Sequence, residues 1–384
     1  MGDHAVMPAR VDLPVLTSDS LNRATLARQG LLSPLDLDPV AALEAFGGLQ
    51  AQEPASPYLA LWSRLRSFDA ADLERAFHER RAVKATLMRI TLHAVSSRDY
   101  RLLLPALMPM LRTLRRRGWA DRPEASQVPT LVEAVEAFAA TPRGNSEIRE
   151  LLGGLLEGLV ADDVWWLVRR QSTLVHVPDG VPWAFGRRPM MVAAASWLAD
   201  EGFADEAAAI EHLVRRYLGA FGPATVADIS QWAGLSVAAL RSGIDAVAEP
   251  RGVDARGREL VDVADGQLPD PGTPAPPRLL PMWDSTLLAF DDRTRILSDA
   301  DRLRVIARNG DVAPTFLVDG RVAGLWWAVH EGGRTHIELE PFRKIAASAR
   351  RALEAEGERL ATFLEPLEPR VYARYRTSGA RRHA

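Results

Sequence analysis

The stretch GPATVADISQWAGLS, residues 222–236, gives the clearest indication of the fold. Its Thr225 and Asp228 stand three residues apart, as in a capping box that begins a helix. The glycine and leucine at 234–235 predict a turn, which is followed by a second helix over residues 237–247. Two helices joined by so short a turn are typical of a helix-turn-helix.

A helix and a strand flank this stretch. The apolar spacing over residues 205–218 predicts a helix before it, and residues 259–263 are rich in strand formers. Helix, helix, short turn, helix and strand pair is the order of a winged helix-turn-helix. Such a unit also occurs as a plain scaffold or as a dimer module, so one copy does not decide the function.

The same order is predicted twice more upstream. In the second copy, helices over residues 131–139, 146–152 and 162–170 precede a hairpin that runs from Leu174 through Trp183 and Phe185. In the first copy, helices over residues 21–28, 39–46, 57–66 and 71–79 precede a strand-forming run, residues 86–95. Three copies in series favour DNA contact over a scaffold role.

A proline-rich linker, residues 264–277, separates these units from a β-rich region. Hairpin turns are predicted there at Asp319-Gly320 and at residues 331–334, before a final helix over residues 343–364. We expect the Arg-rich tail after that helix to be disordered. The fold class is therefore mainly α with β wings. The predicted domains are three winged helices and a C-terminal β-rich domain: residues 15–100, 101–200, 201–265 and 278–365.

Length and composition indicate a folded protein. The chain has 384 residues, of which 47% are hydrophobic and 25% are charged, as is usual for globular proteins. No apolar run approaches the roughly 20 residues that span a bilayer, and no signal peptide is evident. Because the chain has no cysteine, we expect no disulfides and a cytoplasmic location.

The charge and motif inventory narrows the possible functions. The net charge of −3 neither supports nor excludes DNA binding, because charges can segregate by face. Lysine occurs only at Lys84 and Lys344, and all other basic residues are arginine. The histidines lack metal-site spacing, and the Walker A, Gly-x-Ser-x-Gly and Gly-x-Gly-x-x-Gly patterns are absent. We therefore expect neither a metal nor a cofactor.

The segment with the most distinctive chemistry is Gln50-Ala51-Gln52-Glu53. Two glycines before it predict the end of a helix, and Pro54 after it favours an extended backbone. In an extended stretch, Gln50 and Gln52 would point to one side and Ala51 to the other. Two neutral amides can hold a water, a sugar or a base edge, but neither is a strong general base. Alternatively, both are solvated loop residues or caps of the neighbouring helices.

Five short runs resemble the AlkZ/YcaQ family of winged-helix DNA glycosylases, in its branch with a Gln-x-Gln motif. These runs are residues 48–54, 61–65, 88–93, 281–284 and 292–293. One position differs, since the family usually has glycine where this chain has Ile90. The resemblance implies tandem winged helices in a C shape with a β domain. It also implies metal-free removal of alkylated bases, including crosslinked bases, with Gln50 and Gln52 as the catalytic pair.

The chemistry of alkylated bases agrees with a pair of amides. An N7-alkylated guanine is already cationic and leaves without an acid to protonate it. The remaining task is to place a water near C1′ and to tolerate an oxocarbenium-like sugar. We therefore expect a restriction to cationic lesions. A crosslinked base cannot flip freely, which favours an open channel.

The remaining candidate residues are contacts and supports. Arg89 and His93 are candidates for lining the channel, and Arg321 or Arg334 for probing a groove from a hairpin tip. Asp284 is a candidate support of the glutamine loop. Each has an ordinary alternative: a hydrogen-bonded structural histidine, a polar turn, or a capped turn.

The sequence thus predicts a monofunctional DNA glycosylase for double-stranded DNA with alkylated bases. We expect a monomer, because a clamp on a lesion needs no symmetry. The alternative is a non-catalytic winged-helix regulator, which should tolerate loss of both glutamines, and a copy that keeps the fold without activity is the third possibility.

Overall fold

A computed structural model describes residues 13–113, 123–124, 126–156, 161–180, 182–186, 188–198 and 201–380. Helices make up 46% and strands 18% of the chain, so the fold mixes helices with small antiparallel sheets. The strands are more than wings on a helical protein, because two of the sheets have four and six strands. Among the described residues, no helix combines the length and the apolar composition that a membrane span requires.

In the first quarter of the chain, the described residues form four α-helices and three strands. The helices are α1 Ser18–Arg28, α2 Pro39–Ala45, α3 Ala55–Arg64 and α4 Ala70–His78, and the strands are β1 Leu49–Gln50, β2 Ala82–Thr86 and β3 Leu92–Ser96. Local signals explain the helix starts: the Asp38 carboxylate caps α2, whose first residue is proline. The strand-forming run over residues 86–95 supplies the end of β2 and most of β3. A turn at Met88–Ile90, with positive φ at Arg89 and Ile90, divides it into β2 and β3.

In the second quarter of the chain, helix α5 Ser97–Leu111 leads from the first region to three further helices, α6 Val128–Phe138, α7 Asn145–Leu155 and α8 Ala161–Gln171. This region also contains the short helix α9 Ala194–Trp197 and the strands β4 Arg143–Gly144, β5 Leu174–Val177 and β6 Met190–Ala193. The expected partner strand near Trp183 was misplaced. Trp183 and Phe185 lie buried in the loop between β5 and β6.

These two regions share one six-stranded sheet, in the order β1-β3-β2-β5-β6-β4. β2 joins the halves, because Ala85 pairs with Val175 of β5 on one side and with His93 of β3 on the other. The first two predicted units are therefore linked by backbone hydrogen bonds as well as by sequence.

The third unit follows its predicted order closely. It consists of α10 Glu206–Phe221, α11 Val226–Ala233, α12 Val237–Val247, β7 Glu249–Val253 and β8 Glu259–Asp262. The capping box of Thr225 and Asp228 is confirmed, and Gly234 ends α11 with a φ of 77°, a conformation that glycine adopts without strain.

The C-terminal region packs a four-stranded sheet against a long helix. Its elements are β9 Arg278–Leu280, α13 Ser285–Leu288, α14 Arg302–Val305, β10 Thr315–Val318, β11 Arg321–Glu331, β12 Arg334–Pro341, α15 Ala347–Leu364 and α16 Ala373–Ala380. The sheet order is β12-β11-β10-β9. The expectation of a disordered tail was wrong as far as α16, because Tyr372 is 3% exposed and bonds to the Ser56 hydroxyl at 2.9 Å.

Two large apolar clusters hold these regions together. One joins the N-terminal helices to the C-terminal sheet through residues such as Phe46, Tyr58 and Trp326. The other joins α5 to the third unit through residues such as Tyr100 and Tyr217. The glutamine loop lies between them, since Leu49 belongs to the first cluster and Val95, on the paired strand, to the second.

Candidate active site

The glutamine loop is fixed at both ends by the backbone. Gly47 and Gly48 adopt φ values of 71° and 79° after α2, and a side chain at Gly48 would lie 2.9 Å from the Val95 methyl. β1 then pairs with β3, with Gln50 opposite His93, and the Ala51 amide donates to the Leu92 carbonyl at 2.7 Å. The expected extended backbone is therefore present at Gln50.

The Gln52 side chain is exposed but has a fixed orientation. Its Oε1 accepts a hydrogen bond from the Leu92 backbone N–H at 2.9 Å. Because a backbone N–H can only donate, the atom that faces it must be the amide oxygen. The Gln52 NH₂ group is thereby turned away from the sheet, and Oε1 keeps a second lone pair.

The Gln50 side chain is 6% exposed and is oriented in the same way. Its Oε1 accepts from Arg89 Nη2 at 3.4 Å, and a guanidinium also can only donate. Both catalytic candidates thus have their carbonyl oxygens held by protein donors. Each leaves its NH₂ group and one oxygen lone pair for water or DNA.

Arg89 connects the glutamine loop to the third unit. Its Nη1 donates to the Trp232 carbonyl of α11 at 2.6 Å, and Gly234 leaves no room for a side chain beside Met110 and Arg89. Burial lowers the pKa of Arg89 to about 10, with the Arg293 charge as the next cause. At neutral pH the guanidinium is therefore still charged when it contacts Gln50.

His93 lies behind this contact and is neutral. It is 2% exposed, and burial, followed by the Arg89 charge, lowers its pKa to about 3. Its Nδ1 is 3.0 Å from the Thr91 carbonyl, which can only accept, so Nδ1 carries the proton. This is the geometry of a hydrogen-bonded structural histidine.

A cavity of about 800 Å³ opens beside Gln52. Its walls are the glutamine loop, β2, the end of β5 with the β5–β6 loop, and the C-terminal segment up to the start of α16. They include Gln52, Glu53, Lys84, His176, Phe185 and Arg374. Gln50 is not among the lining residues. The structure therefore brings Gln52 to the cavity and Gln50 to Arg89, on adjoining sides of one loop.

Asp284 is fully buried at the start of α13. It caps this helix through the Thr286 N–H at 3.0 Å and pairs with Arg64 at the end of α3 at 2.8 Å. Direct support of the loop comes from its neighbour Ser285, whose hydroxyl is 3.5 Å from the Gly48 carbonyl. Asp284 thus anchors the helix that follows the glutamine loop.

The two hairpin arginines have different surroundings. Arg321 pairs with Asp19 of α1 at 2.6 Å and donates to the Thr294 carbonyl at 3.0 Å, so its turn is packed against the protein. Arg334 is exposed on the turn between β11 and β12, where Gly332 and Gly333 both have positive φ. Of the two, Arg334 is the one presented to solvent.

The part of the chain that the structure describes contains no cluster of three or more histidine, cysteine, aspartate or glutamate side chains placed to hold a metal ion.

A family model described as AlkZ-like DNA glycosylase matches residues 43–363. The chain belongs to this family. The resemblance drawn from the glutamine loop is therefore confirmed, and the substrate of this AlkZ-like glycosylase is DNA.

A solved structure extends the likeness to the whole fold. The DNA glycosylase AlkZ of Streptomyces sahachiroi matches with a TM-score of 0.74 at 20% sequence identity, covering 92% of this chain and 98% of that one. At this identity the match concerns the fold alone. A search of curated proteins finds no match.

One wall of the candidate site of this AlkZ-like glycosylase, formed by the C-terminal segment, was not predicted from the sequence. Glu53 pairs with Arg374 and accepts from the Tyr375 hydroxyl at 2.7 Å, so the C-terminal segment holds the residue next to Gln52. The closest signal was the arginine content of the tail, from which disorder was predicted instead. Lys84 was noted only as a rare lysine.

Proposed function

We propose that this DNA glycosylase hydrolyses the N-glycosidic bond of cationic alkylated bases of the N7-alkylguanine type in double-stranded DNA, with Gln50 and Gln52 as the catalytic pair. In this proposal the enzyme is monofunctional and acts as a monomer. Its three helical units are winged helices in a C-shaped arrangement. The observation that carries the proposal is the fixed orientation of both amides, whose carbonyl oxygens are held by donor-only groups.

Fixed amides suit the reaction because the leaving base supplies its own positive charge. The second lone pair of an amide oxygen accepts a hydrogen bond from the attacking water and orients it, and the NH₂ group donates to an oxygen of the sugar or phosphate. Neither amide must reorganise as the sugar becomes cationic, and such preorganisation lowers the barrier. Because the pKa of His93 is about 3, His93 supplies no acid for a neutral base, which agrees with a restriction to cationic lesions.

The proposed DNA contacts are assigned according to the solvent exposure of each arginine and histidine side chain. Arg334, on its solvent-facing turn, enters a groove in this proposal. Arg321, whose side chain is 39% exposed and paired with Asp19, borders that surface, and His93 supports it from within. Arg89 acts through Gln50, whose oxygen it holds. The cavity beside Gln52 is open to solvent, and an open site also admits a base that is still tied to the opposite strand. Unhooking of interstrand crosslinks is therefore part of the proposal.

The test is base release from duplexes that contain N7-methylguanine, an N7-linked crosslink or a neutral lesion such as uracil, in the presence of EDTA. The wild type should release both cationic adducts and leave uracil. Gln50→Ala and Gln52→Ala should each lose release, whereas Gln127→Ala, an exposed glutamine at the start of α6, should not. Intact DNA binding without any release would instead establish a non-catalytic DNA-binding protein.

A further inference from the structure

The cavity beside Gln52 is lined by a largely buried lysine, for whose ammonium the described residues supply no hydrogen-bond acceptor. Lys84 is 4% exposed and lines the same cavity as Gln52. Among the described residues its Nζ has no hydrogen-bond or ion-pair partner, and its one close polar contact is with the face of the Phe185 ring, 4.8 Å from the ring centre. Nζ is not one of the fully enclosed polar atoms and faces the cavity. A largely desolvated charge without a protein acceptor is costly, so this arrangement favours a ligand in the cavity that supplies the acceptor.

The strand register explains how Lys84 reaches the cavity. Lys84 of β2 pairs with Ala94 of β3, and Ala94 pairs with Leu49 of β1. Directly paired residues point to the same face of a sheet. Lys84 therefore projects on the face of Leu49, opposite to the face that carries Gln50 and His93.

The charges around Lys84 keep it an ammonium at neutral pH. Burial lowers its pKa to about 8, and the Glu53 and Asp179 carboxylates oppose that shift. Glu53 already forms an ion pair with Arg374. His176 is neutral, because burial lowers its pKa well below the ordinary value, and the charges of Lys84 and then Arg169 lower it further.

The identity of the residue is informative as well. In a chain where Lys84 and Lys344 are the only lysines, a guanidinium would be the ordinary choice for a cation. A guanidinium is larger and has five donors in a fixed fork, whereas an ammonium is compact and can rotate one of its three donors onto a small acceptor. The site thus suits a single oxygen atom.

We propose that Lys84 is a substrate-binding residue of this cavity, whose ammonium donates a hydrogen bond to an acceptor oxygen of the damaged nucleotide. The proposal rests on the proposed function. The oxygen belongs either to the base, as O6 of an N7-alkylguanine, or to a neighbouring phosphate. An ammonium at O6 also assists the chemistry. When the C1′–N9 bond breaks, the electron pair stays with the base, which becomes neutral while the sugar becomes cationic, and a fixed charge beside the base favours that transfer.

The experiment measures single-turnover base release by wild type, Lys84→Met and Lys84→Gln, with Lys344→Met, the exposed lysine, as the matched control. Two duplexes carry N7-methylguanine or N7-methyladenine, which are both cationic but differ at position 6, where adenine has an amino group. A third replaces the phosphate beside N7-methylguanine with a methylphosphonate. Loss of a hydrogen bond from a charged donor corresponds to about a 10- to 100-fold slower release.

A loss confined to N7-methylguanine identifies O6 as the acceptor. An equal loss on both bases, reproduced in the wild type by the methylphosphonate, identifies the phosphate, and both results support the proposal. Three results overturn it: release within twofold of wild type by either Lys84 variant, a loss that accompanies a lower melting temperature in both variants, or borohydride trapping of Lys84 on abasic DNA, which would make it a nucleophile. If the wild type releases no base, the proposed function fails instead. Unchanged affinity of Lys84→Met for the N7-methylguanine duplex would then overturn this proposal as well.

Discussion

Replacing Lys84 by methionine should make the protein more stable at neutral pH. Burial lowers the pKa of Lys84 from 10.5 to about 8, and one pKa unit is about 1.4 kcal/mol, so the buried charge costs about 3 kcal/mol. Methionine has a similar length and no charge, and it packs well beside an aromatic ring such as Phe185. We expect Lys84→Met to gain about 1 to 3 kcal/mol in the free energy of unfolding at pH 7.

The pH dependence separates this effect from ordinary repacking. Between pH 8 and 10.5 the folded wild type binds fewer protons at Lys84 than the unfolded chain, so wild-type stability rises through that window. The charge cost is therefore fully present below pH 8 and falls to about 1 kcal/mol at pH 10. Urea unfolding of both proteins at pH 7 and pH 10 measures the difference. A less stable Lys84→Met protein at pH 7, or a difference that does not shrink at pH 10, would refute the reasoning.

Three further predictions concern the supports of the site. Asp284→Ala should lower the free energy of unfolding by about 3 to 5 kcal/mol, because the substitution leaves the Arg64 charge buried and unpaired. Urea unfolding measures this free energy, and a loss below about 1 kcal/mol would contradict the prediction. Ile90→Gly should change the free energy of unfolding by no more than about 1 kcal/mol, because relief of the positive φ at Ile90 offsets the lost side chain. The control Ile244→Gly in α12 should cost about 3 kcal/mol or more. Equal losses in the two melting curves would show that position 90 is unstrained. Because the pKa of His93 is about 3, the single-turnover rate should show no His93-dependent step between pH 5 and 7, and a step that His93→Asn removes would mean that the imidazole titrates there.

Local signals in the sequence were sufficient for most helices. The cap at Asp38, the capping box of Thr225 and Asp228, and the glycine at 234 all act within one helical turn. The elements that they predict therefore begin or end where expected. The β2–β3 turn was missed because Arg89 and Ile90 are not typical turn residues. The usual glycine of the family at position 90 agrees with the positive φ found there.

The candidate site was predictable only in part. The glutamine loop could be found from its flanking glycines and proline, and from the resemblance. The partners of Gln50 and Gln52, which are Arg89 and the Leu92 N–H, depend on strand pairing across about 40 residues, which no local pattern encodes. The same holds for the cavity wall at Arg374, more than 300 residues from Glu53.

Burial separated candidates that looked alike in the sequence. Arg321 and Arg334 both follow a hairpin turn, yet Arg321 pairs with Asp19 of α1 while Arg334 remains exposed. Asp319 of the first turn pairs with Arg23, so α1 explains the difference. Only tertiary packing distinguishes a turn that faces solvent from one that is docked.

The most direct test of the central claim is the single-turnover rate of N7-methylguanine release from a duplex in EDTA, compared between wild type and Gln52→Ala. Removing one preorganised polar group from a site of this kind lowers the rate by about 10²- to 10³-fold. We predict a loss of that size, with DNA affinity and melting temperature close to those of the wild type. A Gln52→Ala protein that releases the base at the wild-type rate would contradict the assignment of the catalytic amides.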